Sequence, residues 1–186
     1  MLLGVLGVSC VFSTGIHNRV FMNRKRRRMT KKKLTLMMEW LRPAGIGLVI
    51  FIAYYLGKDA ISRFHLMGPF VVMLMSGTVA FESLILGEAA SEKIGYEPHR
   101  AYQIQSGLAN AATAITALLV YVLDWGRSAD AAIVTVMLMF FTLSAINHIA
   151  TAVMYRNLKP INLMRPFMVL FLIGFLLPHM LKALNQ

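Results

Sequence analysis

Cysteine occurs once in the 186 residues, at Cys10, so no disulfide can form within the chain. Carboxylates are also scarce, with eight Asp and Glu against nineteen Lys and Arg. Charged residues of both signs make up 15% of the chain, well under the share of about 25% usual in soluble domains. No Ser motif of the strand-turn-helix type and no glycine-rich phosphate loop occurs, so neither nucleophilic hydrolysis nor nucleotide binding finds a signature. These absences leave little room for a secreted disulfide scaffold or a soluble enzyme.

Apolar residues are plentiful, at 58% against about 45–50% in soluble proteins. Crossing roughly 30 Å of hydrocarbon takes about 20 mostly apolar residues in a helix, because backbone groups in lipid must bond within their own segment. The expected fold is therefore all-α: an integral membrane bundle of four to five transmembrane helices. Apolar runs place the spans at about 41–57, 66–86, 104–123, 129–154 and 164–180. Pro43 marks a first turn, Gly68-Pro69 opens the second span, and Arg165-Pro166 and Pro178 shorten the regular part of the fifth. Residues 37–186 form one transmembrane domain, preceded by a basic tail over 1–36 that is expected to be disordered. Met29, Met37 and Met38 lie downstream of the first methionine, so an upstream mis-start is one reading of the opening residues.

The net charge of +11 is concentrated in that tail. Residues 1–33 carry nine cations and no anion, whereas the rest carries ten cations and eight anions. A cationic flank before the first span is an orientation signal that places the N-terminus in the cytoplasm. Adhesion to anionic lipid is the functional alternative. Nucleic acid is not expected as a partner, because no aromatic-interleaved basic fold accompanies the charges. The expected partners are the bilayer itself and either a second copy or a partner helix.

Half of the carboxylates, Glu82, Glu88, Glu92 and Glu97, fall between the last turns of the second apolar run and the start of the third. An ionisable group at membrane depth is costly and is a functional candidate by default. Glu82 lies about one turn inside the second span, with Lys93 or Arg156 as candidate ion-pair partners. His148, with Asn147 beside it, lies about two turns inside the end of the fourth. Stepping along the third span, Gln103, Gly107, Asn110, Ala114 and Ala117 share one small, polar helical face. Antiparallel packing brings these ends together, so Glu82, Gln103, Asn110 and His148 are the primary ligand or proton-site candidates. Glu88 points about 120° away from Glu82 and, with Glu92, belongs to a helix extension. No Glu-x-x-His pair of a ferritin-like metal centre occurs, which leaves His148 as a weak metal or haem ligand. No cofactor is specified.

The residues Gly87-Glu88, Ile94-Gly95-Tyr96, Tyr102-Gln103, Gly107-x-Ala109-Asn110, His148 and Asn157-x-x-Pro160-x-Asn162 form a pattern. It resembles a family of small, uncharacterised prokaryotic integral membrane proteins, a domain of unknown function, over roughly residues 82–180. The chain departs from that pattern at Leu163, where a Gly is expected. The resemblance implies a helical multi-pass fold without an assigned activity, in the cytoplasmic membrane of a prokaryote, and its residues Glu88, Asn157 and Asn162 join Asn147, the neighbour of His148, as secondary candidates. The expected function is a small bundle that binds or transports an ion, a proton or a ligand. The alternatives are a redox or metal- or haem-binding enzyme subunit and a structural accessory subunit. An enzymatic role is the less expected reading.

Overall fold

A computed structural model describes the backbone of residues 5–186 and the side chains of residue 26 and residues 29–186. Six α-helices follow one another, and the described residues contain no strand. They are α1 (Val5–Leu56), α2 (Ala60–Phe81), α3 (Glu88–Ile94), α4 (Arg100–Val122), α5 (Arg127–Tyr155) and α6 (Pro160–Leu184). A single π-helical turn, Glu82–Leu86, joins α2 to α3. Five helical segments are long and apolar enough to cross a membrane: Met29–Leu56, Ala60–Leu86, Arg100–Val122, Arg127–Tyr155 and Pro160–Leu184. The chain is a multi-pass membrane protein of helical-bundle architecture.

The central helix is α2, which packs against α1, α4, α5 and α6. Its apolar residues Phe64, Met67, Val71, Val72 and Met75 are buried, and they meet Val134, Met137, Leu172 and Leu176 from α5 and α6. The face of α4 built on Gln103, Gly107, Asn110 and Ala117 is buried too. A Cβ at Gly107 would stand 2.7 Å from Leu84 Cγ, so the absence of a side chain there sets how closely α4 approaches the π turn. Large apolar side chains remain exposed around the outside, Phe51, Leu108, Val136 and Phe167 among them, as lipid-facing positions require.

Helix boundaries differ from the hydropathy reading in three places, each for a local reason. The second span opens at Ala60 rather than at Leu66, because Asp59 accepts from the Ser62 N–H while Ser62 Oγ accepts from the Asp59 N–H, a capping box. Helix α2 therefore runs through Gly68-Pro69 and contains Pro69 instead of starting there. Helix α6 likewise starts at Pro160, whose missing N–H suits a first-turn position, and runs through Pro166 and Pro178. Pro43, taken as a first-turn marker, lies well inside α1. The segment of α1 apolar enough to cross a membrane reaches back to Met29, and near its start Lys32 pairs with Glu92 at 3.0 Å and Thr35 is buried. Part of the expected tail over 1–36, including most of its arginines, falls on side chains outside the described residues.

Two ends of the bundle carry polar groups. At one end, His65 Nδ1 lies 2.9 Å from Asp130 Oδ2, with the imidazole stacked on Tyr121 at 5.0 Å. The other end gathers the N-terminal part of the first span, the end of α2, α3, the start of α4, the end of α5 and the start of α6. Most of the sequence candidates lie there.

Candidate functional site

The route to the site starts with the π turn. Its extra residue per turn carries the chain to Gly87, whose φ of +43° and ψ of −107° only glycine takes without strain. The Arg100 guanidinium donates to the Ser83 and Leu84 carbonyls at 3.2 and 3.0 Å, partners that an ended helix otherwise lacks. From Gly87 the chain doubles back as α3, ended by Gly95 at φ +81°. This reversal lays Lys93 beside Glu82, a residue on the preceding turn.

Glu82 is buried and doubly paired. Its Oε2 lies 2.7 Å from Arg42 Nη2 and its Oε1 2.6 Å from Lys93 Nζ. Arg42 also donates from Nε to Thr78 Oγ1 at 3.0 Å and lies 3.0 Å from Glu39 through Nη1. Lys93 further contacts Glu39 at 2.6 Å and the Thr35 carbonyl at 3.3 Å. Glu82 is thus the anchor of an ion-pair network joining α1, α2 and α3, and such charges hold only when every partner is in place. Arg156, the other candidate partner, is exposed on its loop.

A third cation is held less well. Arg165 Nη2 stands 3.7 Å from Glu39 and Nη1 stands 3.5 Å from His148 Nε2, while its Nε has no partner among the described residues. The network therefore sets three cations, Arg42, Lys93 and Arg165, against two carboxylates. One positive charge is in excess.

His148 is buried, and its tautomer follows from its neighbours. Asn162 Nδ2 donates to the Asn157 carbonyl at 3.0 Å and reaches the His148 carbonyl at 3.5 Å, which turns Asn162 Oδ1 toward His148 Nδ1. An amide oxygen only accepts, so the imidazole donates from Nδ1 and Nε2 keeps its lone pair. Tyr96 adds its hydroxyl 3.0 Å from Nδ1 and donates to Thr151 Oγ1 at 3.1 Å. The lone pair on Nε2 faces Arg165. A guanidinium in that position repels a metal cation, and no group of three His, Cys, Asp or Glu side chains suited to a metal occurs among the described residues.

Two cavities meet at this wall. A chamber of about 410 Å³ is lined by Glu82, Tyr96, Gln103, Asn147, His148 and Arg165. An apolar slot of about 260 Å³ lies on the other side, between α1, α5 and α6, and shares His148 and Arg165 with the chamber. Gln103 donates from Nε2 to Ser91 Oγ at 2.7 Å, and its buried Oε1 has no partner among the described residues.

Of the four primary candidates, Glu82, Gln103 and His148 come together around the chamber. Asn110 does not: its Nδ2 donates to the Ser106 carbonyl of its own helix at 2.9 Å, about two turns away along α4 from Gln103. The secondary candidates divide. Asn147 lines the chamber and Asn162 orients His148. Asn157 ties the α5–α6 loop to the Ile94 carbonyl at 2.8 Å, while Glu88 is exposed. Sequence reading did not place Glu39, Arg42 or Arg165 at the site, and it held Tyr96 only as part of the family pattern. Glu39 and Arg42 at i,i+3 in an otherwise apolar lead-in were the available signal.

A family model described as "Family of unknown function (DUF6790)" matches residues 57–185. The chain belongs to this family. The matched segment carries Glu82, Lys93, Gln103, His148, Asn162 and Arg165, whereas Glu39 and Arg42 lie before it on α1. No curated protein and no solved structure matches the chain.

Proposed function

We propose that the chain is a membrane-embedded binding bundle whose chamber takes a small polar ligand, with the basic N-terminal end of the bundle facing the cytoplasm. The chamber carries this reading: about 410 Å³ of space beside Gln103 and Arg165, both of which keep a polar atom without a partner among the described residues. A buried donor or acceptor left unmade costs about 1–3 kcal/mol. A ligand that donates to Gln103 Oε1 and His148 Nε2 while accepting from Arg165 recovers that cost, and with the excess positive charge this suits an anion that carries a hydroxyl, such as hydrogen phosphate.

The reading makes Glu82 structural: its charge is consumed by Arg42 and Lys93. The ligand-facing groups are Gln103, Asn147, His148 through Nε2, and Arg165. The test is thermal unfolding of the purified full chain in detergent, with chloride, acetate and inorganic phosphate each varied in concentration. A ligand bound only by the folded state raises the midpoint with concentration. The expected result is a concentration-dependent rise in the wild type that is lost in Gln103→Leu and in His148→Gln. An unchanged rise in both variants, or none in the wild type with any of the three anions, overturns the reading.

A further inference from the structure

The apolar slot differs from the chamber in its lining and in where it opens. Its walls are Leu36 and Trp40 of α1, Phe141 and Ala145 of α5, and Met164 and Met168 of α6. Leu36, Trp40 and Met164 are exposed on the outer surface of the bundle, which faces lipid in a membrane. Its inner end is polar, formed by Arg165 and His148. The space thus runs from the lipid-facing surface to the one cation of the network that lacks a full set of partners.

Arg42 and Lys93 spend their donors on Glu39, Glu82, Thr78 and the Thr35 carbonyl. Arg165 has only two long contacts, at 3.5 and 3.7 Å, for a guanidinium with five N–H donors. Buried cations hold their place through paired, hydrogen-bonded anions, and a carboxylate matches a guanidinium in two-point geometry. A group of water size occupies about 30 Å³, and a methylene is of similar size. The 260 Å³ of the slot therefore hold roughly nine such groups, the head and first half of one long alkyl chain, with the rest of the chain lying in the bilayer outside the opening.

Resting on the binding reading above, we infer that the slot takes a single-chain amphiphile with a carboxylate head, a long-chain carboxylic acid, its head on Arg165 and its tail between Trp40 and Met168. Entry is from the bilayer, through the gap between α1 and α6, so the acid need not pass through water. The carboxylate brings the network to three anions against three cations.

Trp40 makes this measurable. It lines the slot, and the other tryptophan, Trp125, lies in the turn between α4 and α5. The full chain carrying Trp125→Phe is reconstituted in zwitterionic nanodiscs and titrated with a dibrominated stearic acid, whose bromines quench tryptophan on contact. The expected result is saturable quenching of Trp40, weakened about tenfold or more by Arg165→Gln, as loss of a charge-assisted pair implies. Ala145→Leu, which narrows the slot and leaves the charges in place, abolishes it, and decides the outcome if Arg165→Gln does not fold. Several results overturn the inference: no saturable quenching, equal quenching by the dibrominated alcohol or by a brominated two-chain phosphatidylglycerol, or no response to either substitution. Absence of quenching together with an intact thermal response to small anions removes the amphiphile and leaves the chamber reading standing. Loss of both removes both.

Discussion

Glu82 shows how burial decides a residue's role. The same carboxylate at the surface would gain little from a Lys or Arg neighbour, since exposed pairs contribute about 0–1 kcal/mol. At 4% exposure, between Arg42 and Lys93, it pairs with two cations that are themselves nearly buried and that share Glu39 as their second anion. Glu82→Gln leaves both cations underpaired, and a loss of about 3–5 kcal/mol is expected. Chemical unfolding in mixed micelles measures it, and wild-type stability would contradict the network. Asp59 sits outside the spans, where its carboxyl is held below the ordinary range by the Ser62 backbone N–H and then by the Ser62 side chain. A lowered folded-state value gives stability that is present above the unfolded value of about 3.8 and is lost as pH falls through the folded one. Asp59→Asn is therefore expected to flatten the acid limb of the melting profile below about pH 4, measured by melting the two proteins side by side across that range.

At the element scale, the π turn and α3 decide the site more than any long helix does. A regular continuation of α2 past Glu82 would carry Lys93 away along the helix axis. The extra residue of the turn, the Gly87 conformation and the Arg100 bonds to the freed carbonyls reverse the chain instead. Helix α4 closes on this turn through Gly107. Gly107→Ala places a methyl 2.7 Å from Leu84 Cγ and 3.1 Å from Ser83 Cβ, and the overpacking is expected to cost about 1–3 kcal/mol. The readout is the thermal midpoint, with Gly47→Ala, where nothing lies within 4 Å, as the control that should stay near wild type.

For the whole molecule, the arrangement is a bundle with its two polar ends built differently. The end with His65 and Asp130 carries separate short pairs, His65 with Asp130 and Tyr54 with His179 at 2.6 Å, while the other holds a connected network of five charges, a histidine with a fixed tautomer, the chamber and the slot. The proposed orientation puts the latter end, with the basic flank of α1, on the cytoplasmic side. On a Cys10→Ser background, a membrane-impermeant maleimide applied to intact cells is expected to label Asp124→Cys, in the α4–α5 turn, and to spare Glu97→Cys, in the α3–α4 turn. Labelling in the reverse pattern would invert the orientation.

Much of this was legible in the residues themselves. Lipid forces backbone groups to bond within a segment, so five apolar runs become five helices, and phase along α4 placed Gln103, Gly107 and Asn110 on one buried face. The rarity of charge at depth singled out Glu82 and His148 for the same reason. Hydropathy does not see caps or proline tolerance, which is why α2 and α6 begin earlier than the apolar runs suggest. Nor does one-dimensional spacing set what a side chain meets across helices. Only the tertiary packing gives Glu82 two partners and leaves Arg165 with a charge that its neighbours do not match, while Asn110 bonds to its own backbone.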